Sequence, residues 1–226
     1  MNEIVKYLDE LIPNPKCELN YNKPYELLLA TMLSAQTTDK RVNMVTNILF
    51  KKYDSLEKFR NANVNDVIEI IKPIGTFNKK AINIIEIAKR LKEVNDQVPN
   101  NREFLESLPG VGRKTANVVL SNIYNLQCIA VDTHVHRVSI RLGIAKPSDD
   151  VYQTEIKLTR KFKKYDLCRL HHQLVLFGRY YCKANNPNCG ECKLKSMCKY
   201  EKREKWFFSF IVFELFLLKY FDNYHR

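Results

Sequence analysis

Glycine is scarce in this chain, with six in 226 residues, and none of them follows Asn or Asp. Two-residue hairpin turns between antiparallel strands draw on those pairs, so a fold built on such a sheet is disfavoured. A secretory leader is missing as well. Residues 1–20 lack a basic start followed by an apolar run and a small-residue cleavage site. A cytoplasmic location is therefore expected, at the nucleoid if the source is bacterial, and the seven cysteines are not expected to pair as disulfides. Acidic residues are the third shortage: 25 Asp+Glu face 37 Lys+Arg, a net charge of +12. That balance points to a polyanionic partner, most simply nucleic acid, against the alternative of a generally basic, Asn-, Ile- and Lys-rich composition. No clean membrane span is present either. The run Trp206–Leu218 is interrupted by Glu214 and is too short. A helix docked on the body, a partner-binding helix and a membrane-surface contact all stay open for that tail, and no membrane partner is assigned.

What is present reads as helix. Leu27, Leu28, Ala30, Thr31, Leu33 and Ser34 form an apolar stripe at helical spacing, as do Ile82, Ile85, Ala88 and Leu91. Pro24 before Tyr25 fits the first turn of a helix. Gln127–Val131 reads equally as a short strand or an extended linker.

The most informative stretch is Leu108-Pro109-Gly110-Val111-Gly112-Arg113-Lys114-Thr115-Ala116-Asn117. One helix ends at Ser107–Gly110 and the next opens at Gly112, giving a helical hairpin. A glycine turn lets backbone approach a phosphate, and the open N–H groups of a helix start attract an anion. Lys114 is then either a further phosphate contact or a nucleophile, with Asp132 of Val131-Asp132-Thr133-His134 as its partner in the second case. A phosphate-binding NTPase loop is excluded, since Arg113 stands where that loop needs glycine and position 108 is Leu. A weak repeat lies 35 residues upstream, where Gly75, Lys79 and Ala81 match Gly110, Lys114 and Ala116. Phe77 replaces Gly112 there, so the earlier turn is read as a related helical hairpin with a different role, or as chance similarity.

Cys182, Cys189, Cys192 and Cys198 are separated by six, two and five residues. Four thiolates from one short loop can wrap a metal centre, and the chemistry leaves an iron–sulfur cluster, zinc or unligated cysteines open. Zinc sites of four cysteines usually use two close pairs, and one is present here. Cys17, Cys128 and Cys168 are read as core residues. Neither His134/His136 nor His171/His172 sets two imidazoles on one helical face, which argues against a zinc hydrolase. His134 lines a polar groove or is an ordinary surface histidine. The basic run at Arg160, Lys161, Lys163 and Lys164 reads as a solvated face.

The hairpin, the Val131–His134 segment, the cysteine spacing and Leu33-Ser34-Ala35-Gln36-Thr37-Thr38-Asp39 together resemble the endonuclease III family of base-excision DNA glycosylases. The resemblance runs from about residue 1 to residue 205. It implies an all-α, two-lobe helix–hairpin–helix enzyme with its active site in the cleft between lobes. A helical barrel domain would span 17–128, and 1–16 with 129–205 would form a domain holding a [4Fe–4S] cluster on the four cysteines. Residues 206–226 have no counterpart. The implied activity is that of a bifunctional glycosylase and AP lyase, a monomer that removes oxidised pyrimidines from duplex DNA and cuts abasic sites. Lys114 would be the nucleophile, activated by burial or by neighbouring cations such as Arg113. Asp132 would stabilise the sugar cation, although a helix cap is its alternative role. Gly110, Gly112, Arg113 and His134 would contact DNA, and Gln36 would insert where the damaged nucleotide leaves the stack. The second inserting position is Thr76, where the family usually carries leucine. Either Phe77 replaces that wedge or duplex opening is less efficient. Two other classes compete: a non-catalytic hairpin DNA-binding protein, and a monofunctional mismatch glycosylase, which typically lacks the lysine.

Overall fold

The computed structural model describes residues 2–200; all of its helices and turns are accounted for without a strand among the described residues. Two compact units divide the chain. Residues 15–130 and 165–172 form a hairpin unit, and residues 1–14, 131–164 and the described residues from 173 onward form a cysteine unit. The tail 206–226 lies outside the described residues.

In the cysteine unit, α1 (Asn2–Leu11), α9 (Thr133–Arg141) and α10 (Val151–Phe162) gather with residues from Gln173 of α11 (Leu167–Leu176). The hairpin unit contains α2 (Pro24–Leu33), α3 (Asp39–Lys52), α4 (Leu56–Arg60), α5 (Val64–Ile71), α6 (Phe77–Leu91), α7 (Arg102–Ser107) and α8 (Arg113–Tyr124). Most starts have a side-chain oxygen where the helix leaves backbone N–H groups unpaired. Thr38, Ser55, Asn63 and Asn101 accept from the first turns of α3, α4, α5 and α7. Asp150 and Gln153 cap α10 reciprocally. α2 opens with Pro24 in its first turn, and Glu26 Oε2 accepts the N–H groups of Asn22 and Lys23 at 2.7 and 3.2 Å.

The expected stripe on α2 is a fully enclosed helix. Every residue from Tyr25 to Leu33 is buried, because the apolar residues occupy all sides and α8, α3 and α6 pack around it. Phe59 is fully buried among Tyr25, Phe50 and Tyr53, whose rings meet it at centroid distances of 6.4, 6.4 and 5.3 Å. On α6 the buried face also differs from the expected one. Ala81, Ile84, Ile87, Ala88 and Leu91 turn inward, whereas Ile82 is 60% exposed. Three isoleucines in four positions (Ile82, Ile84, Ile85) made the register ambiguous, and packing against α4 and α5 resolves it.

Residues 125–132 form an extended linker, not a strand. No neighbouring strand offers a ladder; instead the fully buried Asn117 of α8 donates from Nδ2 to Ile129 O at 3.2 Å. In the cysteine unit, Leu8, Val135, Val138, Leu158, Phe162 and Leu174 are wholly buried. Gln173 ties α11 to α1 by donating to Asp9 Oδ1 at 2.9 Å. No helix among the described residues is long and apolar enough to cross a membrane.

The register of α6 gives a direct test. Ile84→Ala should cost roughly 2–5 kcal/mol of unfolding free energy, as core truncations do, and Ile82→Ala should stay within about 0.5 kcal/mol. Equal costs in urea denaturation would mean that α6 buries another face.

Candidate nucleic-acid interface and cysteine centre

The hairpin between α7 and α8 is built around one glycine that must be glycine. Gly110 has φ +76°, and a Cβ there would lie 2.5 Å from Asn83 Nδ2 and 3.3 Å from Met32 Cγ. Gly112 is different. Its φ of −98° suits any residue, and a Cβ would meet nothing within 4 Å. It is the N-cap of α8, and as a glycine it lends no side chain to the first-turn N–H groups. An open helix start facing space is a site a phosphate oxygen can reach. Arg113 is half-buried and Lys114 is exposed in that first turn. The burial expected of Lys114 is not observed.

Lys114 has a neighbour that sequence reading set aside. His171 is 4% exposed, and burial, His172 and the Lys114 charge push its pKa down to about 3. The ring is therefore neutral at physiological pH. It hydrogen-bonds the Ala130 backbone, while Nδ1 has no partner among the described residues. His172 reaches Asn122 Oδ1 at 3.1 Å. The only sequence signal was the adjacent pair, and a search for metal-binding spacing passes over it.

Two exposed tips stand on the same unit. Gln36 has φ +58° and Thr76 has φ +57°, both left-handed and both non-glycine. Such backbone is unfavourable for a β-branched residue like Thr76 and tends to be retained at functional sites. Phe77 is half-buried and packs against the core of the unit. Thr76, not Phe77, is the residue presented at the tip. The upstream turn also departs from the later one in register: Gly75 has no positive φ, the left-handed residue falls at Thr76, and α6 starts at Phe77, in the repeat position of Gly112.

Asp132 and His134 belong to the cysteine unit. Asp132 is the N-cap of α9, its Oδ1 accepting from His134 N at 2.9 Å and Val135 N at 2.8 Å. Both bonds fall on one oxygen, so capping engages half of the carboxylate. His134 Nδ1 lies 3.3 Å from Arg137 Nη2, and a Cβ on Gly178 would come within 2.9 Å of its Cβ. His136 meets Thr154 Oγ1 at 2.9 Å, a structural contact.

Cys182, Cys189, Cys192 and Cys198 all line one cavity of about 300 Å³ with Tyr7, Phe177 and Arg141. Among the described residues no three His, Cys, Asp or Glu side chains close on a point as a single metal ion demands. Four thiols around a shared space form a donor set that a metal centre can use. Arg141 braces the loop: Nη1 lies 3.3 Å from Cys182 Sγ and donates to Lys183 O at 2.6 Å, and its guanidinium lies over the Tyr200 ring at 3.9 Å.

A family model described as HhH-GPD superfamily base excision DNA repair protein matches residues 29–164. Endonuclease III of Bacillus subtilis (strain 168) is 46% identical over 200 residues, covering 88% of this chain and 91% of that protein. The chain belongs to the endonuclease III family. Endonuclease III of Escherichia coli (strain K12) is 44% identical over 202 residues, 89% of this chain and 95% of that one. Among solved structures, a trapped endonuclease III–DNA covalent intermediate matches with a TM-score of 0.85 at 40% identity, over 91% of this chain and 99% of that one. A thermostable thymine-DNA glycosylase matches in fold, with a TM-score of 0.80 at 22% identity over 89% and 96%. The all-α helix–hairpin–helix glycosylase fold expected from sequence is the fold observed.

For this endonuclease III family member the two glycines separate folding from binding. Gly110→Ala should lose about 1–2 kcal/mol of stability from left-handed strain, together with affinity for abasic duplex. Gly112→Ala should keep its melting temperature and lose affinity alone, because only the phosphate approach is filled. Parallel thermal melts and fluorescence-anisotropy titrations distinguish the two.

Proposed function

We propose that Lys114 is the nucleophile of a bifunctional DNA glycosylase and AP lyase that removes oxidised pyrimidines from duplex DNA. The family is one of base-excision repair enzymes, and a relative of 40% identity has been held as a covalent intermediate with DNA. The observation that carries the reading is Lys114 itself, an exposed amine in the first turn of α8, a helix whose N-cap glycine supplies no side-chain cap. A non-catalytic binding hairpin would use it only as a further phosphate contact and would form no covalent bond to DNA.

The target base is inside the duplex stack, so the nucleotide must be turned out before its sugar carbon can be reached. Gly110–Gly112 and Arg113 anchor the backbone without reading sequence. Gln36 and Thr76 fill the space left behind, and His134 adds a polar contact to the strand. The neutral Lys114 amine forms a bond to C1′ as the bond from C1′ to the base breaks, the base leaving with the electron pair and taking up a proton. The sugar ring opens and the C–N bond becomes an imine. Loss of a C2′ proton then expels the 3′ phosphate, and water hydrolyses the imine to release Lys114. Asp132 offsets the positive charge on the sugar as the base departs, through the carboxylate oxygen that α9 does not use.

The four cysteines would hold a [4Fe–4S] cluster, and the shared cavity fits that reading. When bound, the cluster supplies four metal–thiolate bonds that close the 182–198 loop. The partner is duplex DNA carrying damaged bases or abasic sites, bound by a monomer of +12 net charge. In a bacterial cell that charge would keep the enzyme at the nucleoid.

Lys114→Gln should abolish covalent trapping under borohydride and strand cleavage. Binding to abasic duplex should stay within roughly tenfold, since a single phosphate-range charge is worth on the order of 1 kcal/mol. Asp132→Asn keeps a capping oxygen, so α9 should persist, and slower base release with trapping retained on a pre-formed abasic site then reports the lost charge. Undiminished cleavage by Lys114→Gln would sink the assignment. For the cluster, purified protein should be brown and carry about four irons per chain, and Cys192→Ser should lower solubility and DNA affinity. Colourless protein with stoichiometric zinc would refute it.

A further inference from the structure

Lys80 is a buried lysine that the mechanism above does not use. It lies on α6, is 5% exposed, and is met by backbone carbonyls instead of a carboxylate. Its Nζ donates to Leu33 O at 3.0 Å and to Ala35 O at 2.8 Å. Leu33 ends α2, whose last carbonyls have no partner within the helix and favour a positive charge. Ala35 immediately precedes Gln36, in a turn closed by Thr37 N donating to Ser34 O at 3.1 Å. The left-handed Gln36 takes the third position of that turn, where a type II turn requires positive φ. The backbone N–H of Lys80 in turn donates to Thr76 O at 3.2 Å, in the first turn of α6. One residue thus bonds to the carbonyl before Gln36 with its side chain and to the carbonyl of Thr76 with its main chain. Burial pushes the Lys80 pKa down, in keeping with an amine enclosed by protein.

We propose that Lys80 is a positioning residue for duplex opening, locking the Gln36 turn and the Thr76 turn into one rigid pair of tips. Two short turns with unfavourable backbone would otherwise relax independently, and each would have to be ordered again on DNA. Tied to one buried residue, the first through its side chain and the second through its main chain, they keep a fixed spacing before DNA arrives. The inference rests on the reading of Gln36 and Thr76 as inserting residues. It adds that their spacing is set from inside the unit by a residue that never touches DNA.

The test compares holoenzyme with Lys80→Met, which keeps the length of the side chain and removes both donors. Single-turnover borohydride trapping is measured on an oxidised-pyrimidine duplex, which must be opened, and on a single strand with a pre-formed abasic site, which need not be. A misplaced positioning element can cost about a hundredfold. The duplex rate is expected to fall by roughly tenfold to a hundredfold, with the single-strand rate within about twofold. A 2-aminopurine placed beside the lesion should lose its fluorescence rise on binding, and Lys80→Arg, which keeps a cation and donors, should recover part of both signals. Equal losses on the two substrates, or none on either, would overturn the proposal. If Lys80→Met does not fold, Lys80→Arg carries the same comparison, with a smaller duplex-selective loss expected and equal losses again overturning it. The 2-aminopurine signal does not depend on Lys114 chemistry. Absence of trapping by the unmodified enzyme therefore counts against Lys114, while an undiminished 2-aminopurine rise in the Lys80 variant counts against Lys80.

Discussion

A helix enclosed by apolar neighbours cannot send its terminal carbonyls to water, and α2 is in that position. Residues Tyr25 to Leu33 are all buried, so the end of the helix has to find its hydrogen-bond donors inside the protein. Ser34 supplies them to Ala30 and Thr31, and Lys80, carried on α6, supplies one to Leu33 and one to Ala35 just beyond. The buried ammonium is acceptable because two carbonyl dipoles meet it at a helix C-terminus, where positive charge is favoured. From that one arrangement follow the attachment of α6 to α2, the course of the Ser34–Thr37 turn, and the position of Gln36 at its tip.

The same logic of helix ends accounts for the other candidate functional residues. At α8 the N-cap is Gly112, so no side chain occupies the anion position and a ligand can take it. At α9 the cap is Asp132, which satisfies two N–H groups through Oδ1. The two starts are opposite solutions to one problem: one carries no capping side chain, and the other is closed by a carboxylate that also carries charge. A cap that doubles as an electrostatic group also explains why Asp132 admitted two readings from sequence. Capping uses one oxygen of the side chain, and the proposed electrostatic role would use the other.

What could be read from the sequence was whatever depends on residue type at a fixed spacing. The Gly110–Gly112 pair, the lysine after it and the four cysteines are visible because their chemistry is local to a few residues. The end of α7 and the start of α8 followed from the same turn. Less legible was anything set by tertiary packing. Of the stripe expected at Ile82, Ile85, Ala88 and Leu91, the last two are buried and Ile85 is partly so, but Ile82 gives way to Ala81, Ile84 and Ile87, since an isoleucine-rich helix offers several apolar faces and only its neighbours choose one. α2 looked amphipathic from six selected positions and proved enclosed. Lys80 was invisible because it follows Lys79, and a pair of lysines on a helix normally signals solvent. Phe77 looked like a replacement wedge by composition, but its ring lies against the core and leaves Thr76 at the tip.

Thr76 is where these arguments meet. Its left-handed backbone is costly for a β-branched residue, yet the fold keeps it. A purely structural turn would gain stability from glycine or asparagine there, as Asn95 and Asn125 show at two other left-handed positions of the same unit. Gly75 stands immediately before it, so the permissive residue is one position away from the strained one. The strain is held by the first-turn bond from Lys80 N to Thr76 O and by the packing of Phe77. On the proposed reading of Thr76 as an inserting residue, a tip with so short a side chain acts less by bulk than by rigidity. Strain that the surrounding structure over-determines is a means of keeping such a tip from folding back before it meets DNA.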